Sequence, residues 1–388
     1  MYSHEMKPPC QPPGLARLLP SDWLFPVPTL FGAGRAAEIS SLLTRKRCAR
    51  PMLVTDEALV QTGLPARLMH GLREAGLAPY LFSGVQSDPT DQNVATGCSL
   101  FRAHHADSVI ALGGGSGIDA GKAIAITAVS GLSLDDCKYF GGSPPVVSSS
   151  VMPPVIAVPT TAGTGAEMDS ACVIMNEIKH EKDTYAHEQL ALSVVLDPEL
   201  TLSLPSHLTA YTGMDALTHA FEAYSVKDFH PMCDAMALEA LRLIHTWLPI
   251  ADWVRFTQSQ SLSEQYIGHI TASPTPFSFR MSATAYPEYV QLVAPKCELI
   301  ARYLQLPNSD SGSAIDTVLA WIERLSDDIG VPKNLTSIGV PDDSVVQCAA
   351  MAMRNGNGRY HPVILDTDDY IAIMKSAISK DCEPSVRK

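Results

Sequence analysis

The segment Ser108-Val-Ile-Ala-Leu-Gly113-Gly114-Gly115-Ser116-Gly117-Ile-Asp119-Ala-Gly121-Lys122 sets small residues between an apolar run and a helical one. A diphosphate can approach a backbone that lacks side chains. The helix start beyond it offers unpaired N–H groups and the positive end of a dipole. The same residues also suit a tight strand-to-helix turn with no ligand, and the segment is neither a GxGxxG fingerprint nor a P-loop. A second loop, Val158-Pro159-Thr160-Thr161-Ala162-Gly163-Thr164-Gly165-Ala166-Glu167, offers three hydroxyls after another apolar run. Ligands of α/β sheets bind at that end of a strand, although an ordinary Gly/Thr loop reads the same way. Asp56 follows Met52-Leu-Val-Thr55 directly. Its carboxylate suits an adenosine ribose and would repel a 2′-phosphate; it suits a helix N-cap equally well. In Thr212-Gly213-Met214-Asp215-Ala-Leu-Thr-His219-Ala-Phe-Glu222-Ala-Tyr224, Asp215 and His219 are four apart and share a helix face. They can ligate one divalent cation, or form a plain intrahelical pair.

The elements that must position these residues follow from periodicity. Apolar, β-branched runs at Pro51–Thr55, Ser108–Leu112, Val155–Pro159 and Ser193–Leu196 predict strands, and Pro65–Ala75 and Gly117–Ala128 predict helices between them. That alternation implies βαβ units and a mostly parallel sheet. After Pro205 helical spacing takes over, as in His207–Ala223 and Met232–Leu248. The division expected is an α/β nucleotide-binding domain over residues 1–204 and an all-helical metal and substrate domain over 205–388. From Phe256 to Tyr289 the chain is rich in Ser, Thr and Gln, with Pro274, Pro276 and Pro287, and reads as loop.

Composition narrows the function. The 388 residues carry a formal net charge of -13, with 46% hydrophobic and 18% charged residues, which suits a globular protein with a sizeable core. An acidic chain without a Lys/Arg-rich run disfavours nucleic acid as a partner. Nine scattered cysteines with no CxxC spacing fit reduced thiols and a cytoplasmic location. No run is long and apolar enough to span a bilayer, so no membrane partner is expected.

Taken together, GGGS-x-x-D-x-G-K (113–122), PTTAGTGAE (159–167), DPELT (197–201), TGMDALTHAFEAY (212–224) and FGAG (31–34) resemble the iron-containing alcohol dehydrogenase family. The motifs run in family order through about the first 250 residues. A weaker likeness returns from Cys297, including Ile329-Gly-Val-Pro332. The resemblance implies a Rossmann-like N-terminal domain, a C-terminal helical domain and an active site between them. It implies hydride transfer between NAD or NADP and a small alcohol or carbonyl substrate. Carried over by motif, Gly114, Gly115 and Ser116 would meet the cofactor diphosphate. Asp119, Thr160, Thr161 and Thr164 would lie along the cofactor, with Asp56 at the adenosine end and Lys182 beside it. Asp215 and His219 would be the first two ligands of Fe2+ or Zn2+. No residue is assigned as a catalytic acid or base, and a homodimer is compatible with the resemblance.

One departure stands out. The family continues with a glycine-rich His-x-x-x-His stretch and a Pro-His-Gly, which supply two more metal histidines and one near the nicotinamide. Here His269 is the only histidine between His245 and His361. The readings left open are a metal-assisted dehydrogenase, a metal-independent enzyme of the maleylacetate reductase kind, and a non-catalytic nucleotide-binding remnant.

Overall fold

Apolar runs buried on both faces form the centre of the molecule. The computed structural model describes residues 27–139, 152–226, 230–256, 287–308, 312–332, 334–354, 363 and 365–378. In chain order its first half contains β1 (Thr29–Phe31), α1 (Ile39–Arg45), β2 (Pro51–Asp56), α2 (Glu57–Gln61), α3 (Leu64–Glu74), β3 (Tyr80–Val85), α4 (Asp91–Ala103), β4 (Ser108–Gly113), α5 (Gly115–Thr127), β5 (Val155–Pro159), β6 (Ala171–Asn176), β7 (Glu181–Ala186) and β8 (Leu192–Leu196). Six strands pair in parallel in the order β1-β8-β5-β4-β2-β3. Alternate residues supply two cores. Met52, Val54, Val109, Ala111, Val155 and Ala157 face α4 and α5, while Leu53, Ile110, Leu112, Ile156 and Val158 face α1 and α3. Burial on both faces is why these strands read as unbroken apolar runs.

Three features lie outside the apolar runs read from sequence. β1 and β3 are edge strands with partly exposed side chains. The antiparallel β6–β7 hairpin buries Cys172, Ile174 and Tyr185 against the α5 side of the sheet, but Asn176, Glu181 and Asp183 share that face and Val173 is exposed on the other. Half-buried strands of this kind carry a weaker hydrophobic signal.

From Ser206 onward every described element is helical: α6 (Ser206–Ser225), α7 (Pro231–Phe256), α8 (Pro287–Tyr303), α9 (Ala314–Asp328), α10 (Val345–Arg354) and α11 (Thr367–Ile378), apart from short single turns. Leu217, Phe221, Leu241, Val293, Ile300, Val318 and Ile322 form their common core. Lys296 closes α6, its Nζ donating to the carbonyls of Tyr224 at 2.5 Å and Val226 at 2.7 Å. That supplies partners for carbonyls a helix end leaves open.

The loop expected from Phe256 to Tyr289 is corrected at both ends. Phe256 belongs to α7, which runs on through Pro249, and Pro287–Tyr289 open α8. A proline in the first turn loses no helical bond, so Pro287 starts a helix where it was read as breaking one. Tyr289 is buried in the helical core. Residues 257–286, most of that segment, lie outside the described residues.

The helical core contains one pH-sensitive contact. Trp321 Nε1–H donates to His245 Nδ1 at 2.9 Å, which requires a neutral imidazole acceptor. Burial holds the His245 pKa below its usual 6.5. The unfolded chain therefore takes up the proton first. The stability from this contact is complete above 6.5 and is lost as pH falls through the lowered folded-state value. Urea midpoints should fall across that window, and His245→Asn should remove roughly 0.5–1.5 kcal/mol of the pH-dependent part. An identical pH slope in H245N would contradict the assignment.

Candidate active site

The chain passes from β2 outward to β3, then returns to place β4 on the other side of β2. Strand order reverses there, and the crevice at the carboxyl ends of β2 and β4 is where a doubly wound sheet takes its ligand. Asp56 ends β2, Gly113 ends β4 with Gly114 and Gly115 next, and Thr160–Gly165 follow β5 beside it. The structure thus gathers three of the sequence-predicted segments at one sheet edge.

Their fit is close. Thr160 N–H donates to Gly113 O at 2.9 Å. A Cβ added to Gly114 would lie 3.4 Å from Thr161 Oγ1, and one on Gly115 would lie 2.9 Å from Thr164 Cγ2. Gly113 has φ +141°, a turn conformation that side chains rarely adopt. One on Gly117 would meet Leu112 O at 2.7 Å, so the helix starts hard against the strand end. No side chain caps α5 at Gly114, which leaves its first turn as an anion-binding end.

Asp56 is the N-cap of α2, and its two oxygens have different neighbours. Its Oδ1 accepts from Leu59 N at 2.8 Å as the N-cap of α2, while its Oδ2 is the oxygen nearest the Gly113 turn. Ser116 Oγ donates to Ser87 O, and the neighbouring Asp88 pairs with Lys182 Nζ at 2.7 Å. Lys182, on β7, is thereby tied to the segment that Ser116 touches. Asp119 is placed beneath the loops. Its Oδ1 lies 3.1 Å from Lys122 Nζ and its Oδ2 accepts from Val173 N at 2.9 Å.

Lys122 is the most consequential of the residues that sequence reasoning left without a role. Its side chain is 0% exposed. Its Nζ donates to Ala166 O at 2.6 Å and to Ala171 O, with Asp169 Oδ1 at 3.4 Å. Burial works against the charge, but the carboxylates of Asp119 and Asp169 outweigh it and lift the pKa above the usual 10.5. One ammonium thus joins α5, the end of the threonine loop and the start of the hairpin. An Asp119–Lys122 pair, three apart in a helix otherwise of small and apolar residues, was the available signal. Asp197 does similar work, accepting from Gly34 N at 3.1 Å, Glu199 N at 3.1 Å and Ala36 N at 2.9 Å. The FGAG and DPELT motifs therefore meet at one buried carboxylate.

On α6, Asp215 Oδ2 and His219 Nδ1 lie 3.8 Å apart, with His219 half exposed. Among the described residues no group of three or more His, Cys, Asp or Glu is arranged to hold a metal ion. Three or four protein ligands are usual for a catalytic metal, so a donor pair does not fit a closed site. His245 is engaged with Trp321.

The family model for iron-containing alcohol dehydrogenases matches residues 26–198, and the model for the C-terminal part of that family matches 209–252. The 1,3-propanediol dehydrogenase of Klebsiella pneumoniae is 30% identical, over 92% of this chain and 98% of its own. The NAD-dependent methanol dehydrogenase of Bacillus methanolicus is 28% identical, over 92% of this chain and 100% of its own. Among solved structures, a 1,3-propanediol oxidoreductase superposes with a TM-score of 0.79 at 31% identity, covering 92% of this chain and 99% of that one.

Lys122→Met should leave Asp119 buried without its cation and destabilise the fold by about 3–5 kcal/mol. Adding Asp119→Asn should recover part of that loss. Denaturant midpoints measure both, and an unchanged midpoint in K122M would contradict the role given to the ammonium.

Proposed function

We propose, from the premise that this chain belongs to the iron-containing alcohol dehydrogenase family, that it interconverts a small alcohol and its aldehyde or ketone with NAD as the hydride partner. The observation that carries the reading is the uncapped start of α5 at the strand-order reversal, faced by the Thr160–Thr164 loop. The first-turn amides of Gly115, Ser116 and Gly117 would hold the diphosphate, with Thr160, Thr161 and Thr164 alongside. Asp56 Oδ2 would take the ribose hydroxyls, and its charge favours NAD over NADP. NAD, held by these residues, would supply the hydride acceptor for an alcohol carbon. The chain's own contribution is orientation, which in general is worth several powers of ten in rate.

The donor set on α6 supports a second reading. Asp215 and His219 are the residues that would hold iron, and among the described residues they stand as a pair, short of the three or four ligands usual for a catalytic metal. A metal-independent reductase of the same fold uses the same cofactor cradle. Among the described residues no helix is long and apolar enough to cross a membrane. The homodimer is an expectation from the sequence resemblance, and the cytoplasmic location one from the scattered cysteines without CxxC spacing.

Two measurements test this. Oxidation of NADH by the full chain should be observed with short aldehydes, and repeating it after chelation separates the two readings. No turnover under either condition would contradict both. Asp56→Ser keeps a capping hydroxyl and removes the charge, so NADPH affinity should rise roughly tenfold or more relative to NADH. An unchanged ratio would remove Asp56 from the cofactor site.

A further inference from the structure

The loop that carries Thr160, Thr161 and Thr164 is pinned at both ends, by Thr160 N–H on Gly113 O and by Ala166 O on Lys122. Between these pins Gly163 lies directly on α6. A Cβ on Gly163 would sit 2.8 Å from Thr212 Cβ, 2.9 Å from Thr212 O and 3.1 Å from Thr212 Cα. Two of those three atoms are backbone, which no rotamer change can move aside. Gly163 is not among the glycines with positive φ, so space alone demands glycine there. Gly165, in the same loop, is the reverse case: φ +68° with nothing within 4 Å.

Thr212 cannot retreat. Its neighbour Gly213 packs on α7, where an added Cβ would lie 2.4 Å from Leu248 Cδ1. Leu248 is itself buried in the helical core. The backbone of α6 at 212–213 is therefore held between the threonine loop and α7. One turn further along the helix comes Asp215, and about one more turn on His219.

We propose that Gly163 is a positioning residue: its lack of a side chain sets the gap between the cofactor loop and α6, and makes loop and helix move as one. This rests on the nucleotide reading above. Gly163 touches neither reacting atom, and its effect is on where the α6 side of the cleft stands relative to the nicotinamide. A displacement of about 1 Å at such a place can lower turnover by about 10²-fold.

Hydrogen exchange on the full chain, with and without saturating NADH, tests it. In the wild type NADH should slow amide exchange over Thr209–His219 by about tenfold or more, because stabilising the loop stabilises the helix locked to it. In Gly163→Ala the NADH dissociation constant should stay within about threefold, since the diphosphate contacts lie at α5, while the slowing on α6 is lost. Where turnover is measurable, kcat should fall with little change in KM for NADH. Gly165→Asn, with open space and a tolerated φ, should keep the coupling. Slowing on α6 that persists in G163A would overturn the proposal, as would equal loss of NADH binding and coupling. Wild-type chain that binds NADH without slowing α6 overturns it without any variant, so the test stands even if G163A does not fold. Failure of the wild type to bind NADH is the distinct failure of the nucleotide reading, and the proposal falls with it.

Discussion

The ammonium of Lys122 has no exposed surface, so its partners must all come from inside the protein, and those it finds belong to three different stretches of chain. Asp119 comes from the same helix, Ala166 O from the end of the threonine loop, and Asp169 and Ala171 O from the lead into β6. A buried cation is tolerated only where carboxylates and carbonyls surround it. That requirement sets where the loop ends and where the hairpin begins. Loop position then decides how Thr161 and Thr164 meet Gly114 and Gly115, and how Gly163 meets α6. The loops at the β4 and β5 ends and the helix beside them are both arranged from that one charge.

The glycines divide the remaining work by geometry. Gly113 supplies a turn, Gly117 lets the helix start against a strand carbonyl, and Gly121 lets α5 approach the sheet, where a Cβ would lie 2.6 Å from Ala111 Cβ. These are backbone approaches, and they explain a glycine-rich segment that matches no single phosphate-loop pattern. The loops after β4 and β5 are accordingly closely packed. On α6, Asp215 and His219 share a face, and among the described residues no group of three or more His, Cys, Asp or Glu is arranged to hold a metal ion. The C-terminal family match stops at residue 252, close to where the described part of α7 gives way to residues 257–286.

Much of this was legible in the residues alone. β2, β4, β5 and β8 were readable because burial on both faces leaves unbroken apolar runs, and α6 and α7 because their apolar positions recur at helical spacing. The Gly113–Gly117 and Thr160–Thr164 loops were readable as a pair because ligands gather at strand ends. The β6–β7 hairpin was not, since Glu181 and Asp183 share the face of Cys172, Ile174 and Tyr185 while Val173 and Met175 lie on the other, which breaks the alternation. Nor was the role of Lys122, because two of its four partners are backbone carbonyls and Asp169 lies far along the chain, which no side-chain motif reveals. Asp56 shows why a choice between capping and ligand binding could not be made from spacing: one carboxylate has two oxygens, and here they face different ways.

A crystal structure of the full chain with NADH tests the central claim most directly. The account predicts the diphosphate within hydrogen-bonding distance of the Gly115, Ser116 and Gly117 amides, with the Lys122–Asp119 pair intact beneath it. Nucleotide bound away from the β4–α5 turn, or a first turn of α5 that stays without a ligand at saturation, would contradict it.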